Sequence, residues 1–157
     1  MKPYKFTVTK DKYYEFITSA GTKYACYFLS YSSYFSAYKE IAANIYAFNI
    51  DILEKHGKVA TDPRIGNTVV QILKTFLNGL TNAVVYVCDT TDSKEMMRMY
   101  KFDSWFRQYD DGTIIKVDGH IAVPNFNIHN AILIHKENQK KNRFIEAFND
   151  LNKTDTK

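Results

Sequence analysis

The stretch 82–109 constrains the fold more than any other part of this sequence. An apolar run, Val84-Val85-Tyr86-Val87-Cys88, stops at Asp89, and the polar loop Asp89-Thr90-Thr91-Asp92 leads into a helix-patterned segment. A short apolar run bounded by turn residues reads as a buried strand, and Asp92 with Glu95 three residues later has the spacing of a capping box. Met96, Met99, Phe102 and Phe106 then trace one side of the helix that follows. Strand-to-helix turns gather backbone N–H groups and polar side chains at one spot, so binding sites are often built there.

The first third of the chain alternates like an antiparallel meander. Tyr4, Phe6 and Val8 fall on one face of a first strand, and Tyr14 and Phe16 on one face of a second. Lys10-Asp11-Lys12 and Ser19-Ala20-Gly21-Thr22 supply the turns, and a third strand spans about 24–30. Residues 30–36 read as a loop, and 36–44 as a loop with an optional helical turn. Tyr46, Phe48, Ile50 and Ile52 alternate with Ala47, Asn49 and Asp51, the period of a fourth strand.

Asp62 followed by Pro63 marks a helix start, because the carboxylate can accept an orphan N–H and proline has none to waste. Ile65, Val69, Ile72, Leu73, Phe76 and Leu80 continue at helical spacing. Beyond the second helix, Asp111-Gly112 breaks the pattern, 113–118 and 126–136 read as strands, and Phe144, Ile145, Phe148 and Leu151 predict a last helix. Strands before and between helices predict a single α+β domain over 1–152, with a mixed, mainly antiparallel sheet and a frayed tail at 153–157.

With 157 residues, the chain fits one core. Twelve Tyr and eleven Phe supply ring surface enough that the core needs no disulfide. Cys26 and Cys88 each fall inside a predicted strand, without zinc or redox spacing. No apolar run is long enough to span a bilayer, so the expectation is a soluble, cytoplasmic protein with no membrane partner. A net charge of +4 is too mild for a dedicated nucleic-acid domain.

Asp89, Asp92, Ser93, Lys94 and Arg98 form the candidate ligand-binding set. Lys94, Arg98 and Lys101 recur at i, i+4 and i+7, so one helix face could hold a phosphate or carboxylate. The plainer reading is a helix cap beside solvated lysines, and Trp105 reads as a core or edge residue. His129 and His135 share a strand face but stand ~20 Å apart, while His56 and His120 fall in or beside turns, so no metal site is expected. Cys88 has no identifiable base and reads as a small buried hydrophobe. Six scattered glycines form neither a Walker loop nor a dinucleotide fingerprint. Lys136, Lys140, Lys141 and Arg143 make the densest basic cluster, usually a solvated helix start.

Residues 89–106 resemble a signature in a family of small, functionally uncharacterised proteins of Bacteroidota, of the form D-x-S-D-G-R, an Arg four residues on, then F-x-x-W-F. Asp89, Asp92, Arg98, Phe102, Trp105 and Phe106 match, with Ser93 in place of Gly and Lys94 in place of Arg. The opening Tyr-rich strands and the Asp62–Arg64–Ile65 helix start are also similar to that family. The element order is similar, more loosely, to the GNAT acyltransferases. That resemblance implies an acetyl-CoA pyrophosphate at the helix start after the fourth strand, and a helical tyrosine acid at the place of Tyr100. Here the family's Gly-rich loop is replaced by Asp62-Pro63-Arg64-Ile65-Gly66-Asn67, whose acid would repel a pyrophosphate where the helix dipole should attract it.

The resulting expectation is a degenerate or non-catalytic acyltransferase-like domain without a cofactor, binding a protein partner or small anionic ligand at 89–98. Two alternatives stand behind it. One is an active acyl-CoA-dependent N-acyltransferase using acetyl-CoA and Tyr100. The other is a nucleic-acid-binding accessory protein using Lys136 to Arg143.

Overall fold

A computed structural model describes residues 2–57, 61–89, 95–123 and 126–153. The strands are β1 (Thr7–Val8), β2 (Tyr14–Ile17), β3 (Lys23–Ser30), β4 (Ile45–Glu54), β5 (Ala83–Asp89), β6 (Ile114–Val123) and β7 (Phe126–His135). The helices are α1 (Pro63–Leu77), α2 (Glu95–Tyr109) and α3 (Lys141–Lys153). One seven-stranded sheet has the order β1-β2-β3-β4-β5-β7-β6, so this is an α+β fold with a mixed, mostly antiparallel sheet. Among the described residues only β4 and β5 pair in parallel, joined by the α1 crossover.

The meander forms because its turns carry residues that accept left-handed backbone. Gly21 sits at φ 85° and closes β2 onto β3, with the Thr18 N–H donating to the Thr22 carbonyl at 2.9 Å. The first strand is shorter than its alternation predicts. Pro3 cannot donate to a ladder, and the Tyr4 N–H donates to Thr68 Oγ1 of α1 at 2.8 Å rather than to β2. Tyr4 is thereby buried against α1, while Phe6 still meets Tyr14 across the sheet edge. Between β3 and β4 the stretch expected as a loop holds a 3-10 turn at Ser32–Phe35, and the helical turn allowed for in 36–44 falls at Ala42–Asn44 as a 3-10 turn. Leu80 lies beyond the end of α1, at φ 64°, rather than on its apolar stripe.

Cross-strand partners share a face, so the register divides the core in two. On one face Phe16, Tyr24, Cys26, Phe48, Val84 and Leu133 meet α1 through Val69, Ile72 and Leu73, and α2 through Phe102 and Phe106. On the other, Val85, Ile132 and Ile134 meet Phe144 and Phe148 of α3, with Phe35 and Ile41 from the 3-10 segment. Both cysteines are buried, and neither forms a disulfide.

Candidate functional site

The parallel pair β4–β5 lasts for only three residue pairs, Ile45–Ala83, Tyr46–Val84 and Ala47–Val85. Beyond them β4 continues on β3 and β5 continues on β7, so the C-terminal halves part. Ligands in parallel-strand sheets gather at such carboxyl ends. Here the wedge is packed with rings. Tyr86 and Phe102 stack with centroids 4.1 Å apart, and Phe48 lies 6.1 Å from the one and 6.4 Å from the other. Phe48 and Phe102 are buried. Each ring comes from a different element, so the plug joins β4, β5 and α2.

Toward the end of β5 the same face turns polar. The Tyr86 hydroxyl hydrogen-bonds with the Cys88 side chain, and burial pushes the phenol well above its ordinary pKa, with Arg98 pulling the other way. Cys88 lies opposite His129, and His129 lies opposite His120. The two imidazoles stack at 4.4 Å with 10° between their planes. A line of side chains therefore crosses three strands, from a buried thiol through a half-buried imidazole to an exposed one.

That row corrects the placement of His120. It is not in a turn but inside β6, because the strand continues through Gly119. A Cβ at Gly119 would stand 2.4 Å from Asn130 Oδ1 and 2.6 Å from Asn152 Nδ2, so glycine here marks close approach rather than a chain break. One signal for this hairpin was present, the Pro124–Asn125 dipeptide between two β-patterned runs. Nothing local pointed to Cys88 as the next member of the row.

The mouth of α1 is already occupied by the chain itself. Asp62 Oδ1 accepts the Arg64 N–H at 2.9 Å, and its Oδ2 accepts the Tyr4 hydroxyl in a short contact. The same hydroxyl accepts the Ser19 N–H at 3.1 Å. The Arg64 guanidinium lies 3.8 Å over the Tyr4 ring, and its Nε donates to the Lys2 carbonyl at 2.9 Å. Two cavities flank this knot. One of about 320 Å³ is lined by Tyr4, Ser19, Thr22 and Arg64; the other, of about 370 Å³, by Tyr24, Asp62, Ile65, Lys101 and Trp105. The Tyr24 phenol is raised by burial and, secondarily, by the Asp62 charge.

Of the five residues expected to form a ligand site, only the Arg98 side chain lies within the described residues. Asp92, Ser93 and Lys94 lie outside the described residues. Asp89 closes β5, and its side chain also lies outside that set. Arg98 is half-buried on α2, close enough to Tyr86 for its charge to be felt there. Lys101 Nζ stands 5.4 Å from the Trp105 ring, on the cavity beside α1. Trp105 is the edge residue expected, packed on Gly66. Tyr100 is 66% exposed, off the stripe of α2 that buries Met99 and Phe102.

The basic cluster is largely engaged. Arg143 pairs with Glu40 in a short contact and with Glu146 at 3.1 Å, and it covers the Tyr38 ring at 4.4 Å. Lys141 Nζ donates to the Lys136 carbonyl at 3.0 Å. Among the described residues no helix is long and apolar enough to cross a membrane, and no three or more His, Cys, Asp and Glu side chains group to hold a metal ion.

Fold and site together define an α+β mixed-sheet domain with an aromatic-plugged wedge where the parallel strands β4 and β5 part. The chain belongs to a family of unknown function, DUF6169, whose model matches residues 61–150. That span holds the α1 mouth, β5, α2 and the β6–β7 hairpin. Searches of curated proteins and of solved structures find no match.

Proposed function

We propose that this chain is a non-catalytic, acyltransferase-like domain that binds a small anionic ligand or a protein partner at the junction of β5 and α2. The observation that carries the reading is the Asp62 carboxylate seated on the first N–H groups of α1, with the Tyr4 hydroxyl on its far side. A cofactor pyrophosphate would need those N–H groups and would meet a fixed negative charge instead. Two further features support loss of acyl transfer. The wedge where a thioester would lie is filled by Phe48, Tyr86 and Phe102, and Tyr100, the candidate acid, faces solvent. Support for a ligand at the junction comes from Arg98, a half-buried cation whose charge reaches the partly buried Tyr86 phenol near the end of β5. In this reading Asp89, Asp92, Ser93 and Lys94 complete the site.

Calorimetry with acetyl-CoA tests the first half: no binding is expected up to about 1 mM. Micromolar affinity abolished by Asp62→Ala would instead establish the active-transferase alternative. Titration of inorganic phosphate into isotope-labelled protein tests the second half. Amide shifts centred on 95–98, lost in Arg98→Ala and kept in Arg143→Ala, are expected. Shifts centred on α1 would refute the placement. Arg98→Ala and Lys94→Ala should each leave Tm nearly unchanged, because residues serving binding are not holding the core. Against the nucleic-acid alternative, Arg143 already pairs with Glu40 and Glu146, which partly offsets the cluster's charge.

A further inference from the structure

The β6–β7 hairpin carries two imidazoles at directly opposed positions, on ten-residue strands paired along their whole length. We propose that His120 and His129 form a two-histidine site for a divalent late transition-metal ion, with water completing the coordination. This inference is independent of the anion site proposed above.

The geometry supports it in three ways. Opposed residues of an antiparallel pair hold their Cβ atoms roughly 4.5–5.5 Å apart, within the span that two imidazoles need to meet at one ion. Each metal–nitrogen bond is about 2.0–2.1 Å, so two coordinating nitrogens lie no more than about 4 Å from each other. The rings already stand at a centroid separation of 4.4 Å, on the same side of the sheet, so turning the stacked imidazoles toward each other lets one nitrogen of each reach a common ion. Second, the pair grades from half-buried to exposed, which anchors one ligand and leaves water access at the other. Third, the pairing of the strands holds both backbones in place, so binding orders little beyond the two rings.

Imidazole donors with open water positions suit Ni²⁺, Cu²⁺ and Zn²⁺ over Mg²⁺ or Ca²⁺, which take oxygen. The buried Cys88 thiol extends the row but stands opposite His129, two strands from His120. Adjacent strands lie about 4.8 Å apart, so an ion held between the two rings is out of reach of the sulfur. The site is therefore assigned to the histidine pair, and a thiolate–imidazole site between Cys88 and His129 is the competing geometry.

Calorimetric titration of the untagged chain with Ni²⁺ and with Zn²⁺ tests the assignment. Saturable binding of one ion per chain is expected, with affinity at least about tenfold weaker in His120→Ala and in His129→Ala, since losing a ligand costs no less than losing its support. His56→Ala and Cys88→Ser are expected to leave affinity unchanged. Circular dichroism of each variant separates a lost ligand from a lost fold, and His120→Asn, at the exposed position, supplies a variant that preserves polarity. Absence of saturable binding below about 1 mM, or equal affinity in the double variant His120→Ala/His129→Ala, would overturn the proposal. Loss of binding in Cys88→Ser would overturn it in favour of the thiolate geometry.

Discussion

Gly66 is a sharp test of how α1 and α2 are held together. A Cβ built there would stand 2.2 Å from Trp105 Cδ1 and 2.5 Å from Cγ and Nε1, well inside contact distance. Restoring ordinary contact requires the indole to move by about 1 Å, and these are atoms near the root of the ring system rather than the end of a flexible chain. Overpacking of this kind costs roughly 1–3 kcal/mol. Against it stands the helix propensity gained when alanine replaces glycine in a helix, about 1 kcal/mol. Gly66→Ala should therefore destabilise by about 1 kcal/mol, lowering Tm by roughly 2–4 °C for a chain of this length. Urea denaturation followed by circular dichroism measures it. The decisive comparison is the same substitution in a Trp105→Ala background, where the clash is gone and only the propensity gain remains. There Gly66→Ala should stabilise by about 1 kcal/mol, a reversal of sign. An equal loss in both backgrounds would refute the argument that the indole requires glycine at this position.

Cys26 makes stability depend on alkaline pH. Burial, assisted by the Asp51 charge, pushes its thiol from 9.0 up to about 12. A raised folded pKa means a contribution fully present below about 9 and lost as pH climbs from 9 toward 12. The difference is about 4 kcal/mol at its full extent. Cys26→Ala should flatten that part of the unfolding free energy profile; an unchanged alkaline slope would show that other groups set it. For the wedge, Phe102→Ala removes the ring stacked on Tyr86 and should cost about 3–5 kcal/mol by denaturant titration. A cost below about 1 kcal/mol would mean that the plug is not a structural joint.

Local physics made much of this molecule legible from its residues. Asp62-Pro63 starts α1 where its cap chemistry predicts, and the period-two run around Phe48 becomes β4. Cys26 and Cys88 are buried as small hydrophobes in strands. Met99, Phe102 and Phe106 face the core of the α+β layer, as their helical spacing implies. These outcomes depend on propensity, capping and periodicity, which act over a few residues at a time.

Tertiary structure alone decided what each of those faces meets. That Tyr4 leaves its strand to lock α1 follows from contacts 58 and 64 residues away. That the parallel pair closes on three rings, and that Gly66 admits an indole, depend on how α1 and α2 cross the sheet. The row from Cys88 to His129 to His120 exists only in the pairing register, and one residue of slip would have sent its members to opposite faces. Periodicity tells which side of an element is apolar. It carries no information about which residue of a distant strand stands opposite, because that choice is made by packing among segments remote in the chain.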